Sequence, residues 1–280
     1  MLVKIMAVLS LVLTALTASL TGIAGSGAAL IWIIPLMLLG FFLAANVVYA
    51  LVMLIATELL INLKKPNDNP KKFWNWNLEA IADWLKFWGR IKVHCIGFEK
   101  LPEGRFLMVC NHRSFFDPIV KIPELKSMGM NYVSKPGNFR IPIAGKLMHA
   151  YGCLSLNRDN NREALVTIKR ATELITGDVS SICIYPEGTR SVKNEMLPFH
   201  AGSFKCAQKA GCPVVMAAVF GTDLIQKNFP FKPSHVYIEI IDVIDSEFVQ
   251  SHKTNEVAEL AQAAIQKKYD ELAKRSSANA

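Results

Sequence analysis

Hydrophobic and polar positions divide the chain into three patterns. Residues 5–63 are almost continuously apolar, with one ionisable side chain, Glu58. A membrane span needs about 20 apolar residues, so this block holds two, with residues 21–27 (TGIAGSG) as the connecting turn. The second stretch, residues 28–62, is too long for one straight crossing and is expected to tilt, kink at Pro35 or extend beyond the bilayer. Lys4 at one end and Lys64, Lys65, Lys71 and Lys72 at the other place both ends on the cytosolic side. Residues 64–70 (KKPNDNP) read as a linker. In residues 73–90, Trp74, Leu78, Ile81, Leu85 and Trp88 recur at helical spacing among Lys71, Lys72, Lys86 and Arg90. Four of the five tryptophans lie there, which predicts an amphipathic helix resting at the headgroup level, in preference to one packed on the domain core.

From residue 91 the pattern alternates. Residues 91–96, 106–110, 181–185, 214–219 and 235–241 read as strands, and 162–176 and 254–274 as helices. Asn160 and Glu163 form a capping box for the first of these helices, and Gly177 ends it. Strands interleaved with helices predict an α/β domain with a mixed central sheet flanked by helices. The expected organisation is therefore transmembrane helices over 1–63, a linker and interfacial helix over 64–91, and a cytosolic domain over 92–280.

Composition sharpens this. The chain is 51 % hydrophobic with a mean hydropathy of +0.26, which excludes a purely soluble or a disordered protein. The net charge is +8, and because Lys4 and Glu58 cancel, the whole excess lies after residue 63. A basic domain beside a membrane anchor suits anionic lipid or an anionic substrate. Nucleic acid is set aside as a partner, since no basic run exceeds two residues and no nucleic-acid motif occurs. The six cysteines form no C-x-x-C pair and read as free thiols in a reducing compartment.

Three constellations carry candidate chemistry. Asn111-His-Arg-Ser-Phe-Phe-Asp117 follows an apolar strand, so His112 lies at the strand's end, where sites form in such sheets. Asp117, followed by Pro118, suits a helix N-cap and has an oxygen to spare for the Nδ1 proton of His112. Tyr185-Pro-Glu-Gly-Thr-Arg-Ser191 follows another strand; Gly188 allows a tight turn, and Arg190 is a fork-shaped donor suited to phosphate. Residues 135–145 (KPGNFRIPIAG) add a loop with two cations. No His, Cys or Asp spacing resembles a metal site.

NHRSFFD, followed about 70 residues later by YPEGTRS, resembles the glycerolipid acyltransferases, and among them the 1-acylglycerol-3-phosphate (lysophosphatidate) acyltransferases. The loop at 135–145, Asn157-Arg158 and Gly211-Cys-Pro-Val-Val215 match further motifs, so the resemblance spans about residues 92–245. It implies transfer of a fatty acyl group from a thioester, acyl-CoA or acyl carrier protein, to the sn-2 hydroxyl of lysophosphatidate. In that scheme His112 removes the hydroxyl proton and Asp117 supports the imidazolium. No acyl-enzyme, metal or redox cofactor is required. By the same resemblance Lys135 and Arg190 hold the acceptor phosphate with help from Arg158, and Glu187, Gly188 and Thr189 shape the loop. Residues 136–140, 200–202 and Met216 depart from the family pattern and bear on the acceptor. The alternatives are another lysophospholipid or a lyso-aminolipid as acceptor and, outside enzymes, a non-catalytic lipid-binding membrane protein.

Overall fold

The structure is a computed structural model that describes residues 1–23, 27, 29–63, 72–191 and 196–278. Helix α1 (Leu2–Thr21) ends at Gly22, and a π-helical turn (Ala29–Ile33) leads into α2 (Ile34–Leu60). Pro35 sits in the first turn of α2, where its missing N–H costs nothing, so it starts the helix instead of kinking it. Both helices are long and apolar enough to cross a membrane by length and composition, and they pack against each other as a hairpin. The linker at 64–70 lies outside the described residues.

Helix α3 (Lys72–Trp88) runs along α2. Tyr49 Oη donates to Asn77 Oδ1 at 2.9 Å, Trp84 Nε1 to Asn46 Oδ1 at 2.7 Å, and the Phe42 and Trp88 rings lie 6.0 Å apart. Glu58, the lone carboxylate of the apolar block, pairs with Lys146 at 2.6 Å. Asn46 and Tyr49 thus tie α2 to α3, and Glu58 ties it to the domain that follows. The aromatic stripe of α3 is divided between two tasks. Trp74 packs into the domain core, and Trp76 and Trp84 pack on α1 and α2. Phe73, Phe87 and Trp88 face outward.

Strands and helices then alternate: β1 (Ile91–Ile96), β2 (Leu107–Cys110), α4 (Phe116–Glu124), β3 (Met130–Ser134), α5 (Ala144–Tyr151), β4 (Leu154–Ser155), α6 (Asn161–Thr176), β5 (Ser181–Ile184), α7 (Lys205–Ala210), β6 (Val214–Phe220), α8 (Ile225–Asn228), β7 (Ser234–Ile244), α9 (Ser246–Ser251) and α10 (Thr254–Ala278). The sheet order is β1-β7-β6-β2-β5-β3-β4. Neighbours are parallel except β6 and β7, so five adjacent strands, β6 to β4, point one way. The sheet is mixed, as its sequence pattern predicts.

Strands β2 and β5 are buried along their whole length, as central strands covered on both faces must be. Alternation divides the core. Met108, Cys110 and Cys183 face α3, α4 and α5, while Leu107, Val109, Ile182 and Ile184 face α6, α7 and α10. Each such fully buried aliphatic side chain contributes about 1.5–3 kcal/mol. Asn160 caps α6 as its sequence predicts: its Oδ1 accepts from the N–H groups of Arg162 and Glu163, and its Nδ2 donates to Glu163 Oε1 at 2.7 Å. Strands β3 and β4 were not in the sequence pattern. The first is masked by polar Asn131 and Ser134, and the second is only two residues long.

Candidate active site

The five parallel strands end on one edge of the sheet, and each delivers a polar side chain there. Thr222 follows β6, His112 follows β2, Glu187 and Arg190 follow β5, Lys135 follows β3 and Arg158 follows β4. Carboxyl ends of parallel strands open into loops that are free to vary while the sheet fixes their origins. Eight residues singled out by sequence therefore come together although they are spread from 112 to 190.

Asp117 is fully buried, and His112 is partly exposed to the cavity. Asp117 is not the N-cap that the sequence suggested. Helix α4 begins at Phe116, which puts Asp117 inside the first turn with its carboxylate turned back over the preceding loop. There Oδ2 accepts from His112 Nδ1 at 2.7 Å and from the N–H groups of Arg113 and Ser114 at 2.8 and 2.9 Å. Oδ1 accepts from Thr222 Oγ1 at 2.5 Å. Four donors on one carboxylate leave it a single orientation. With Asp117 as acceptor, the imidazole proton sits on Nδ1 and the Nε2 lone pair is the free one, the arrangement of a general base.

The backbone of His112 is fixed as firmly. Its N–H donates to Glu187 Oε1 at 2.7 Å, while Leu197 N–H donates to Glu187 Oε2 at 2.9 Å. Its carbonyl accepts from Ser191 N at 2.9 Å. Burial pushes the Glu187 carboxyl up, against the lowering effect of its hydrogen bonds from Leu197, His112 and Ser191. Asn111 exchanges both its amide groups with the Val219 backbone at 2.8 Å each, which ties the chain to β6 just past the end of β2. Glu187 thus acts on the position of His112 and does not itself reach the cavity. Ser114, a conceivable nucleophile, instead accepts from Phe116 N–H at 3.2 Å.

The cations take the other half of the edge. Lys135 Nζ lies 3.5 Å from Thr189 Oγ1, and Arg158 Nη2 donates to Tyr185 O at 3.3 Å. Gly188 has φ +74°, and the Arg158 guanidinium occupies the space that a Cβ there would need. Only glycine serves both demands. Arg190 is exposed and has no hydrogen bond or ion pair among the described residues. His112, Lys135, Arg158, Gly188 and Arg190 all line one cavity of about 260 Å³. The same cavity has an apolar lining from Leu78, Ile81 and Leu85 of α3, Ile119 and Ile122 of α4, and Met148 of α5. No group of three His, Cys, Asp or Glu side chains among the described residues could hold a metal ion.

Sequence reasoning missed two supports. Thr222 lies 105 residues from Asp117 and no local signal marks it. Gly221, at φ +89°, turns the chain there, and a Cβ would strike the His235 carbonyl. The other is Lys121, fully buried one turn beyond Asp117 on α4. Its Nζ lies 2.6 Å from Cys110 Sγ and 3.4 Å from Cys183 Sγ. It also lies 4.3 Å from the centre of the Tyr185 ring, which stacks on His112 at 4.2 Å. Burial pulls the Lys121 ammonium down, but the charges of Cys110, Cys183 and Asp117 outweigh it and hold it above its usual value. Burial likewise pushes the Cys183 thiol up, yet the hydrogen bond from Cys110 and the Lys121 ammonium bring it down to about 7.

Residues 92–219 match the Acyltransferase family. The chain is 32 % identical over 193 residues to a 1-acyl-sn-glycerol-3-phosphate acyltransferase of Chlamydomonas reinhardtii, covering 67 % of this chain and 56 % of that protein. It is 26 % identical over 200 residues to the 1-acyl-sn-glycerol-3-phosphate acyltransferase of Haemophilus influenzae, covering 70 % and 83 %. The chain spans about half the length of several of the curated relatives it matches. The crystal structure of the 1-acyl-sn-glycerophosphate (LPA) acyltransferase PlsC from Thermotoga maritima superposes with a TM-score of 0.61 at 23 % identity, covering 84 % of this chain and 93 % of that one. The two share a fold.

Proposed function

We propose that the chain is a membrane-bound lysophosphatidate acyltransferase. It moves a fatty acyl group from a thioester donor, acyl-CoA or acyl carrier protein, to the sn-2 hydroxyl of lysophosphatidate and yields phosphatidate. The observation that carries this reading is that His112, oriented by Asp117, lines one cavity together with three cations, Lys135, Arg158 and Arg190, and a set of apolar side chains. An amphiphile that carries a phosphate, a hydroxyl and an alkyl chain matches that set of groups. The names of the relatives support the same acceptor.

In this mechanism Lys135, Arg190 and Arg158 take the phosphate, which leaves the hydroxyl beside His112 Nε2. His112 accepts the hydroxyl proton as the oxygen attacks the thioester carbonyl, and Asp117 stabilises the imidazolium that forms. Collapse of the tetrahedral intermediate breaks the carbon–sulfur bond, and the proton passes to the departing thiolate. The apolar wall from α3, α4 and α5 shelters the acyl chain, at about 0.8 kcal/mol per methylene kept from water. Helices α1 and α2 hold the domain at the bilayer, so the chain need not cross water to reach the cavity. The catalytic domain lies on the cytosolic side, on the charge pattern of residues 4 and 64–72.

The test is thiol release from a long-chain acyl-CoA by the detergent-purified protein, with and without lysophosphatidate, beside His112→Ala. Acceptor-dependent release that the variant loses is the expected result. Release without acceptor would mark a thioesterase, and full activity of the variant would end the proposed mechanism. Release with other lyso-lipids but not with lysophosphatidate would move the acceptor to the alternative class.

A further inference from the structure

Two exposed phenylalanines stand where a soluble domain would not place them. Phe231 is 84 % exposed, more than any other large apolar side chain described after residue 63, and Phe229 is 53 % exposed. Their loop, residues 227–233, is nonetheless built. Arg90 Nη1 donates to Phe231 O at 2.6 Å, Lys232 N–H to Asn228 O at 2.8 Å, and Asn228 Nδ2 to Ser234 Oγ at 3.1 Å. Pro230 and Pro233 stiffen it further. The rings are therefore held outward by a fixed backbone.

We propose that this loop, together with the end of α3, is a second lipid-contact surface that sets Phe229 and Phe231 into the headgroup layer of an anionic bilayer. The inference rests on the membrane reading given above and adds to it a contact far from the hairpin in sequence. Three observations support it. The first is continuity: Arg90 follows α3, whose exposed Trp88 meets Phe42 in the body of α2, so the loop borders the apolar surface of the hairpin. The second is charge. Lys227 and Lys232 flank the rings, Arg90 and Lys92 lie beside them, and residues 225–233 contain no carboxylate. The third is shape. An open depression of about 270 Å³ between Phe87, Arg90, Lys92 and Pro233 adjoins the loop, with cations at its rim and room for a phosphate headgroup. Aromatic tips that project between basic side chains are suited to the bilayer interface, where rings lie among headgroups and cations meet anionic lipid. An acidic protein would use the cations but would leave the projecting rings in water.

The experiment uses the full chain in bilayer nanodiscs of phosphatidylglycerol and phosphatidylethanolamine. A nitroxide is attached at Phe231→Cys in a Cys95→Ser background, Cys95 being the one exposed thiol. Reference labels are Val48→Cys, on the exposed face of α2, and Lys169→Cys, on α6 across the sheet. Collisions with oxygen and with a water-soluble nickel chelate are then compared. The expected result is loss of nickel broadening at 231, with oxygen broadening retained, while the label at 169 keeps its nickel broadening. Nickel broadening at 231 with the label at 48 shielded would overturn this surface and leave the membrane reading intact. Nickel broadening at both 48 and 231 would overturn the two together.

Discussion

The two halves of the carboxyl edge differ in how their polar atoms are committed. Behind β2, β5 and β6, Asp117 takes four donors and Glu187 fixes the His112 backbone from the neighbouring strand's loop. Among the cations, Lys135 behind β3 and Arg158 behind β4 make one long hydrogen bond each, and Arg190, at the far end of the β5 loop, has none among the described residues. The first half is preorganised, because a general base works only within hydrogen-bond reach and in one tautomer. The second keeps its charge available for a ligand. A cation already paired to a carboxylate would have to break that pair before binding phosphate. In the proposed mechanism one sheet edge thus separates the chemistry from the recognition, and substitutions should read out differently on the two sides.

The largest expected effect is on the committed side. Asp117→Asn keeps the size but puts an amide NH₂ where donors converge, so His112 loses its orienting partner or takes the wrong tautomer. A loss of about 10³–10⁴-fold in kcat is expected, with about 1–3 kcal/mol of stability lost through the mismatched donors. Steady-state thiol release and thermal unfolding in detergent measure the two. On the uncommitted side, Arg190→Gln or Lys135→Gln should raise KM for lysophosphatidate by roughly 10–100-fold, the loss of one charge-assisted hydrogen bond, with kcat and thermal midpoint nearly unchanged. If kcat falls and KM stays, the cations belong to the chemistry, and the two halves of the edge share one task.

Which parts could be read from sequence follows the same division. His112, Asp117, Glu187, Gly188 and Arg190 sit in short segments whose order survives in the chain, and the strands before them are unbroken apolar runs. The sheet class and most strands were legible for that reason. The fate of the α3 tryptophans was not. Helical spacing reveals a face, but not whether lipid or protein covers it, and α1 and α2 cover Trp76 and Trp84. Nor were the supports legible. Lys121 resembles a surface lysine of an amphipathic helix until β2 and β5 close over it with two thiols.

That cluster gives the next prediction, which asks whether the committed half extends below Asp117. The groups facing Lys121 are Cys110 from β2, Cys183 and Tyr185 from β5 and its loop, Tyr132 from β3, and Asp117 on its own helix. A thiol held at about 7 when folded, against a usual value near 9, adds stability that is complete above the unfolded value and fades as pH falls through about 7. The ammonium, held above its usual value, does not remove that contribution before strongly alkaline pH. Lys121→Met abolishes the pairing. The gap in thermal stability between wild type and variant should therefore widen from pH 6.5 to pH 9, by on the order of 2 kcal/mol. A gap independent of pH would mean that the lysine is held without a thiolate and serves only as packing.

The smallest effect belongs to the contact of longest sequence range. Among the described residues Thr222 Oγ1 is the one donor on Asp117 Oδ1, and both residues are fully buried. Thr222→Val keeps the shape and removes the donor, so one carboxylate oxygen loses its partner in a dry site at about 1–3 kcal/mol. Part of that cost should appear as stability. The rest should appear as a fall in kcat of roughly tenfold, because a carboxylate free to rotate holds the His112 tautomer less firmly. Thr222→Ser separates the two origins. It restores the hydroxyl and loses only a methyl group, so kcat should return close to wild type even where some stability does not. If serine and valine lower kcat alike, the β6 end contributes packing alone, and the preorganised half of the edge shrinks to what β2 and β5 provide.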